Sequence, residues 1–140
     1  MSSDDFSNAL TDPQQAGVFF LVNDDFAGIE LIASQSPLRT LHIALAHCTN
    51  KTTLLQRIAA ALETPQPQGH NWDALADQLR DLSWLSPQAG YVLIFSQAAE
   101  FKEADPASFE LLLDILDEAA IYWQLQNTPF WAFLLLPDAA

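Results

Sequence analysis

The residues best suited to chemistry lie in one stretch, Pro65-Gln66-Pro67-Gln68-Gly69-His70-Asn71-Trp72-Asp73-Ala74-Leu75-Ala76-Asp77-Gln78-Leu79. Advancing by roughly 100° per residue around a helix axis gathers Trp72, Leu75, Leu79 and Leu82 on one side. Asp73, Asp77 and Asp81 then fall on the other side, each at the helical spacing from the next. The spacing predicts a helix from Trp72 to about Leu82, capped by Asn71, with an apolar stripe opposed to an acidic one. Like charges so placed cost a few tenths of a kcal/mol per pair, and Asp81 also opposes the helix dipole. Two explanations stand side by side. The row is a solvated face, with Asp73 favouring the dipole in the first turn and Arg80 partly neutralising Asp77, or it is a surface for a cationic partner. A third chemistry, a metal site of His70, Asp73 and Asp77 activating a hydrolytic water, is poorly supported, because such sites need further ligands from elsewhere.

Other catalytic arrangements are missing. His42 and His47 stand five positions apart around an expected strand end and do not form a shared ligand set. With four glycines in 140 residues there is no phosphate-cradling loop, and there is no nucleophile elbow or Cys/His cluster. The expectation is a protein that is not an enzyme and holds no metal or other cofactor.

Charge narrows the partners. Eighteen acidic residues against five basic ones give a formal net charge of −13. That field repels nucleic acid and anionic membrane surfaces and attracts cationic partners, although many acidic proteins have none. Half the residues are hydrophobic, enough for a packed core without disulfides or metal. The longest apolar runs, such as Phe130 to Leu136, fall far short of the roughly 18 residues of a membrane span. The single cysteine, Cys48, excludes an internal disulfide and reads as inert filler. Met1 to Leu10 lacks the cationic and apolar segments of a secretory signal, so the expected location is cytoplasmic.

The elements that must position the acidic helix follow from pattern. Residues 1–15 read as a loose polar tail, and Gly17 to Val22 as a buried strand. Phe26, Ile29, Ile32 and Ala33 mark a short helix over 25–35 that Pro37 closes. Leu41 to Ala46 reads as a second strand, and 50–63 as a helix capped by Asn50. Two prolines in Pro65–Gly69 stiffen that segment. Tyr91 to Phe95 is a third strand, Ser108 to about Gln126 the longest helix, entered at Pro106, and Phe130 to Leu136 a final strand. Strands alternating with helices mean crossovers, hence an α/β fold with a small, mostly parallel sheet covered by helices. Trp84, Trp123 and Trp131 fall in or beside core patterns, where packing accounts for them, whereas Trp72 is ambiguous, since it begins the acidic helix beside the proline-stiffened segment.

The block Pro-x-x-x-Gly-x-Asn-Trp-Asp-Ala-Leu-x-Asp-x-Leu, Pro65 through Leu79, resembles the signature of the barstar family of ribonuclease inhibitors. The order of helices and strands around it is similar, and Asp117-Glu118-Ala119 resembles a short family motif in the long helix. The resemblance covers residues 39–136, leaving 1–38 as an N-terminal tail and strand-helix extension packed on the same domain as 39–140. It implies an intracellular inhibitor that closes the active site of a small, basic secreted ribonuclease, with helix carboxylates standing in for RNA phosphates. It assigns Asp77 to the catalytic centre of the nuclease, Asp73 to the same surface, Glu118 to a nuclease arginine, and Gly69 and Asn71 to the contact loop and helix start. Pro67, Gln68 and Ala76 stand where the best-known member carries large aromatics, so the resemblance implies a different contact at those three places. Trp72, Arg80 and Asp81 complete the expected partner surface. The alternative is a non-inhibitory protein–protein interaction module on the same fold. The inhibitor reading needs Asp73 and Asp77 to face outward and not to be tied up by the chain's own cations.

Overall fold

A computed structural model of the protein describes residues 9–22, 25–64, 71–85 and 89–136. Among the described residues the order is β1 (Val18–Val22), α1 (Phe26–Gln35), β2 (Arg39–Ala44), α2 (Lys51–Leu62), α3 (Trp72–Leu79), β3 (Tyr91–Ser96), α4 (Ala99–Ala104), α5 (Pro106–Leu125) and β4 (Phe130–Leu136). The strands form one four-stranded sheet in the order β1-β4-β3-β2. Every neighbouring pair is parallel, in the register Val18↔Ala132, Leu93↔Ala132 and Leu41↔Leu93. This is the α/β arrangement that alternating strands and helices require.

The central strands are buried on both faces, which is why their sequences are almost wholly apolar. On one face Leu41, Ile43, Leu93, Phe95, Ala132 and Leu134 meet α2, α3 and α5. On the other, Val92, Ile94, Trp131, Phe133 and Leu135 meet Ile29 and Ala33 of α1. Gly90, just before β3, is a required glycine: a Cβ there would meet the Pro129 carbonyl oxygen at 2.5 Å. That close approach sets β3 beside the start of β4, where the Tyr91 N–H donates to Pro129 O at 2.9 Å.

Four sequence expectations change. β1 is an edge strand, not a buried one: Phe19, Phe20 and Val22 are exposed. An uncharged apolar run signals a strand but not its place in the sheet. The segment before β1 is not loose from Ala9 onward. Ala9 and Leu10 are buried, and the Trp131 indole N–H donates to Leu10 O at 2.7 Å. α3 stops at Leu79 rather than near Leu82, because Leu82 takes a left-handed backbone (φ 53°) that a helix cannot continue through. A short helix, α4, precedes α5 and buries only Phe101. No helix among the described residues is long and apolar enough to cross a membrane.

Candidate protein-binding site on helices α3 and α5

The orientation of α3 is decided by its buried side. Leu75 and Leu79 are 3% and 0% exposed, packed in the core that α5 shares. Fully burying a leucine is worth about 1.5–3 kcal/mol. Repulsion between Asp73 and Asp77 costs only a few tenths of a kcal/mol. The leucines therefore fix the helix, and both aspartates are exposed on its outer side.

Both ends of this two-turn helix are pinned. Asn71 is the N-cap in an extended backbone, and its Oδ1 accepts from Ala74 N–H at 2.7 Å. At the other end the Trp123 indole N–H, from α5, donates to Leu79 O at 2.7 Å. The turn that follows is held by the Trp84 indole N–H donating to Leu62 O of α2, also at 2.7 Å. These tryptophans therefore do more than fill space. Each supplies a hydrogen bond to a helix-terminal carbonyl that would otherwise lack a partner in the helix. Their residue types suggested packing; the carbonyl partners depend on tertiary contacts that no sequence pattern displays.

The expected site residues separate on inspection. Asp73 is exposed in the first turn of α3, where a carboxylate favours the helix dipole. Asp77 is exposed too, but Arg80 Nη2 donates to its Oδ1 at 2.9 Å. The outward-facing requirement is thus met by both aspartates. Freedom from the chain's own cations is met by Asp73, which takes no part in the ion pairs of the described residues, and Asp77 departs from it. The pair is solvent-exposed, with side chains 78% and 47% accessible; such pairs contribute about 0–1 kcal/mol. Asp81 is exposed but has left the helix, so the acidic stripe is two residues long on α3 and not three. Its Oδ1 accepts from Ser83 N–H at 3.3 Å, and its charge adds to burial in raising the Tyr91 hydroxyl above its ordinary range.

Trp72 is partly buried against the core, with Lys51 Nζ 5.6 Å from its ring centroid. Ala76 is also partly buried against the core. Glu118 is exposed on α5, the helix on which α3 packs. Pro67, Gly69 and His70 lie outside the described residues. Among the described residues no group of three or more His, Cys, Asp or Glu side chains is placed to hold a metal ion. Cys48 is fully buried, and burial raises its thiol pKa above the ordinary value.

Sequence reasoning missed one feature of this surface. Ile121, Tyr122 and Leu125, one to two turns beyond Glu118 on α5, are 52%, 37% and 79% exposed. The signal was available, since these positions fall off the core stripe of Leu112, Leu116 and Ala120. Tyr122 packs edge-on against Trp123 at 5.2 Å, and Trp123 packs on Tyr91 at 5.2 Å.

Comparison with known proteins separates fold from family. A search of curated proteins gave no match. Among solved structures the chain is similar to one in "Structure of Drosophila ORC bound to DNA", with a TM-score of 0.60 and 15% identity over 96% of this chain. The match spans 36% of that chain, and at this identity it concerns the fold alone. The family described as Barstar (barnase inhibitor) matches residues 38–135, which include α3, the Asn71 cap, both exposed aspartates and Glu118. The chain therefore belongs to the barstar family.

Proposed function

We propose that this chain is an inhibitor, not an enzyme, that binds a small basic ribonuclease and blocks its active site. Asp73 and Asp77 of α3 stand in for RNA phosphates, and Glu118 of α5 meets a neighbouring cation of the nuclease. The observation that carries this reading is the pinned, outward presentation of the two aspartates on a helix whose other side is locked in the core. Holding carboxylates in place before binding lowers the ordering cost of association. The net charge of −13 steers the chain toward a cation-lined cleft. Charge-assisted hydrogen bonds from arginine or lysine to these carboxylates then slow dissociation. Ile121, Tyr122 and Leu125 would supply apolar contact beside Glu118. Residues 39–140 carry this surface, residues 1–38 extend the same domain, and the site of action is the cytoplasm, where a toxic nuclease would do harm.

The test is titration of the chain into barnase, and into a panel of other small basic ribonucleases, with RNA cleavage as the readout. Stoichiometric loss of cleavage supports the reading. A second reading, a non-inhibitory interaction module with the same surface, is favoured by one observation: Arg80 already neutralises part of the Asp77 charge. Binding to a basic protein partner without loss of any ribonuclease activity would favour it.

A further inference from the structure

We infer that Arg80 is an internal competitor for Asp77, a residue that sets which cations can take that carboxylate. The inference rests on the reading of Asp77 as a contact residue and goes beyond it, because it concerns a side chain that opposes binding.

The geometry carries the argument. Arg80 is the C-cap of α3, with a backbone (φ −94°, ψ 0°) that turns the chain out of the helix. Its side chain turns back. Nε donates to Ala76 O at 3.2 Å, and Nη2 donates to Asp77 Oδ1 at 2.9 Å. The guanidinium is therefore held at two points of one turn. It adds a second donor to the Ala76 carbonyl, which already accepts from the Arg80 backbone N–H at 3.3 Å, and places a cation at the end of the helix dipole that favours one. The other cationic side chains are engaged elsewhere. Arg39 pairs with Glu63 at 3.4 Å, and Arg57 donates to Ala44 O and Ala46 O. Lys51 sits over Trp72 and Lys102 over Phe109. Among the described residues, Arg80 alone forms an ion pair with a carboxylate of α3.

Two opposite consequences follow for a partner. Arg80 stiffens the Asp77 side chain, which favours binding. It also cancels charge and occupies Oδ1, which disfavours it. With Asp77 78% exposed, the stiffening gained from a single solvent-exposed pair is small, while an incoming cation meets the guanidinium directly. The competition wins. Asp77 is then available to a group that replaces the guanidinium's hydrogen bond as well as its charge. A second guanidinium does so better than an ammonium, since its planar fork matches a carboxylate.

The experiment is a double-mutant cycle on the full-length chain, read by isothermal titration with hexa-arginine and hexa-lysine peptides at low salt. The four proteins are wild type, Arg80→Gln, Asp77→Asn and the double variant, with urea midpoints recorded to confirm that each is folded. Arg80→Gln is expected to bind hexa-arginine about two- to five-fold more tightly, the range an exposed ion pair can withhold. That gain is expected to disappear in the Asp77→Asn background and to be smaller for hexa-lysine. Arg80→Lys, which keeps the charge but not the two-point hold, should fall between wild type and Arg80→Gln. An equal gain with and without Asp77 would mean that only net charge had changed and would overturn the inference. So would no gain, or no measurable binding by any of the four proteins. Ribonuclease inhibition is a separate readout, so the peptide cycle can succeed where the inhibitor reading fails, and the reverse.

Discussion

Removing the cap of α3 separates positioning from stability, because the chain carries a matched control. Asn71 Oδ1 accepts from Ala74 N–H at 2.7 Å, and Asn50 Oδ1 accepts from Thr53 N–H at 2.9 Å at the start of α2. Asn71→Ala and Asn50→Ala delete the same kind of hydrogen bond from helices of 8 and 12 residues. Each should cost about 1 kcal/mol of stability. With a urea m-value of about 2 kcal/mol/M for a chain of this size, each midpoint should fall by about 0.5 M. The two variants should differ in binding. Asp73 and Asp77 lie in the two turns that the Asn71 cap organises, so fraying there must be reversed when a partner binds. If all of the lost capping energy reappears as an ordering cost, inhibition of a target ribonuclease weakens by about five-fold, the equivalent of ~1 kcal/mol. Asn50→Ala should leave inhibition unchanged, since α2 carries none of the contact carboxylates. Urea titration followed by tryptophan fluorescence gives the first quantity, and inhibition constants at a temperature where both variants are folded give the second. Equal losses of inhibition in the two variants would refute the positioning argument, as would no loss in either.

Further outcomes follow from the same geometry. Asp77→Ala should weaken ribonuclease binding more than Asp81→Ala, because Asp81 has left the helix and its Oδ1 accepts from Ser83 N–H; equal effects in a binding titration would remove the distinction. The association rate with a basic ribonuclease should fall steeply between 50 and 500 mM salt, as screening removes the pull of the −13 charge. A flat rate in stopped-flow would contradict steering. Stability should decline as pH rises above the ordinary values of 9.0 for Cys48 and 10.0 for Tyr91, both raised in the native state chiefly by burial. A raised native pKa means that the unfolded thiol and phenol lose their protons first, so the stabilisation is complete below the ordinary value and is lost as pH climbs through the native one. Urea midpoints at pH 8, 9.5 and 10.5 should fall in that order, and the fall should be smaller in Cys48→Ala.

Much of the architecture could be read from pattern because the core is strongly patterned. Apolar runs marked β3 and β4, and the spacing of Leu75 and Leu79 marked the buried side of α3, so the outward placement of Asp73 and Asp77 was derivable. Other features had no local signal. The apolar periodicity of α3 continues through Leu82, which is fully buried, yet the chain reaches it by a left-handed turn and not by helix. β1 reads as a buried strand because an edge strand with Phe19 and Phe20 partly covered by Trp131, Phe133 and Phe109 has the same composition. The seating of Leu10 depends on a hydrogen bond from Trp131, 121 positions away. The Arg80 hold on Asp77 was half visible, since the spacing allowed a pair; that the guanidinium is also anchored on Ala76 O required the end of the helix to be known.

The most direct test of the account is RNA cleavage by barnase and by other small basic ribonucleases with increasing amounts of this chain, in parallel with an Asp73→Asn/Asp77→Asn double variant of the same fold. The account predicts that at least one of these enzymes loses activity at one-to-one stoichiometry with the wild-type chain and keeps most of it with the double variant. Equal inhibition by the two proteins, or full activity of every enzyme at excess wild-type chain, would contradict it.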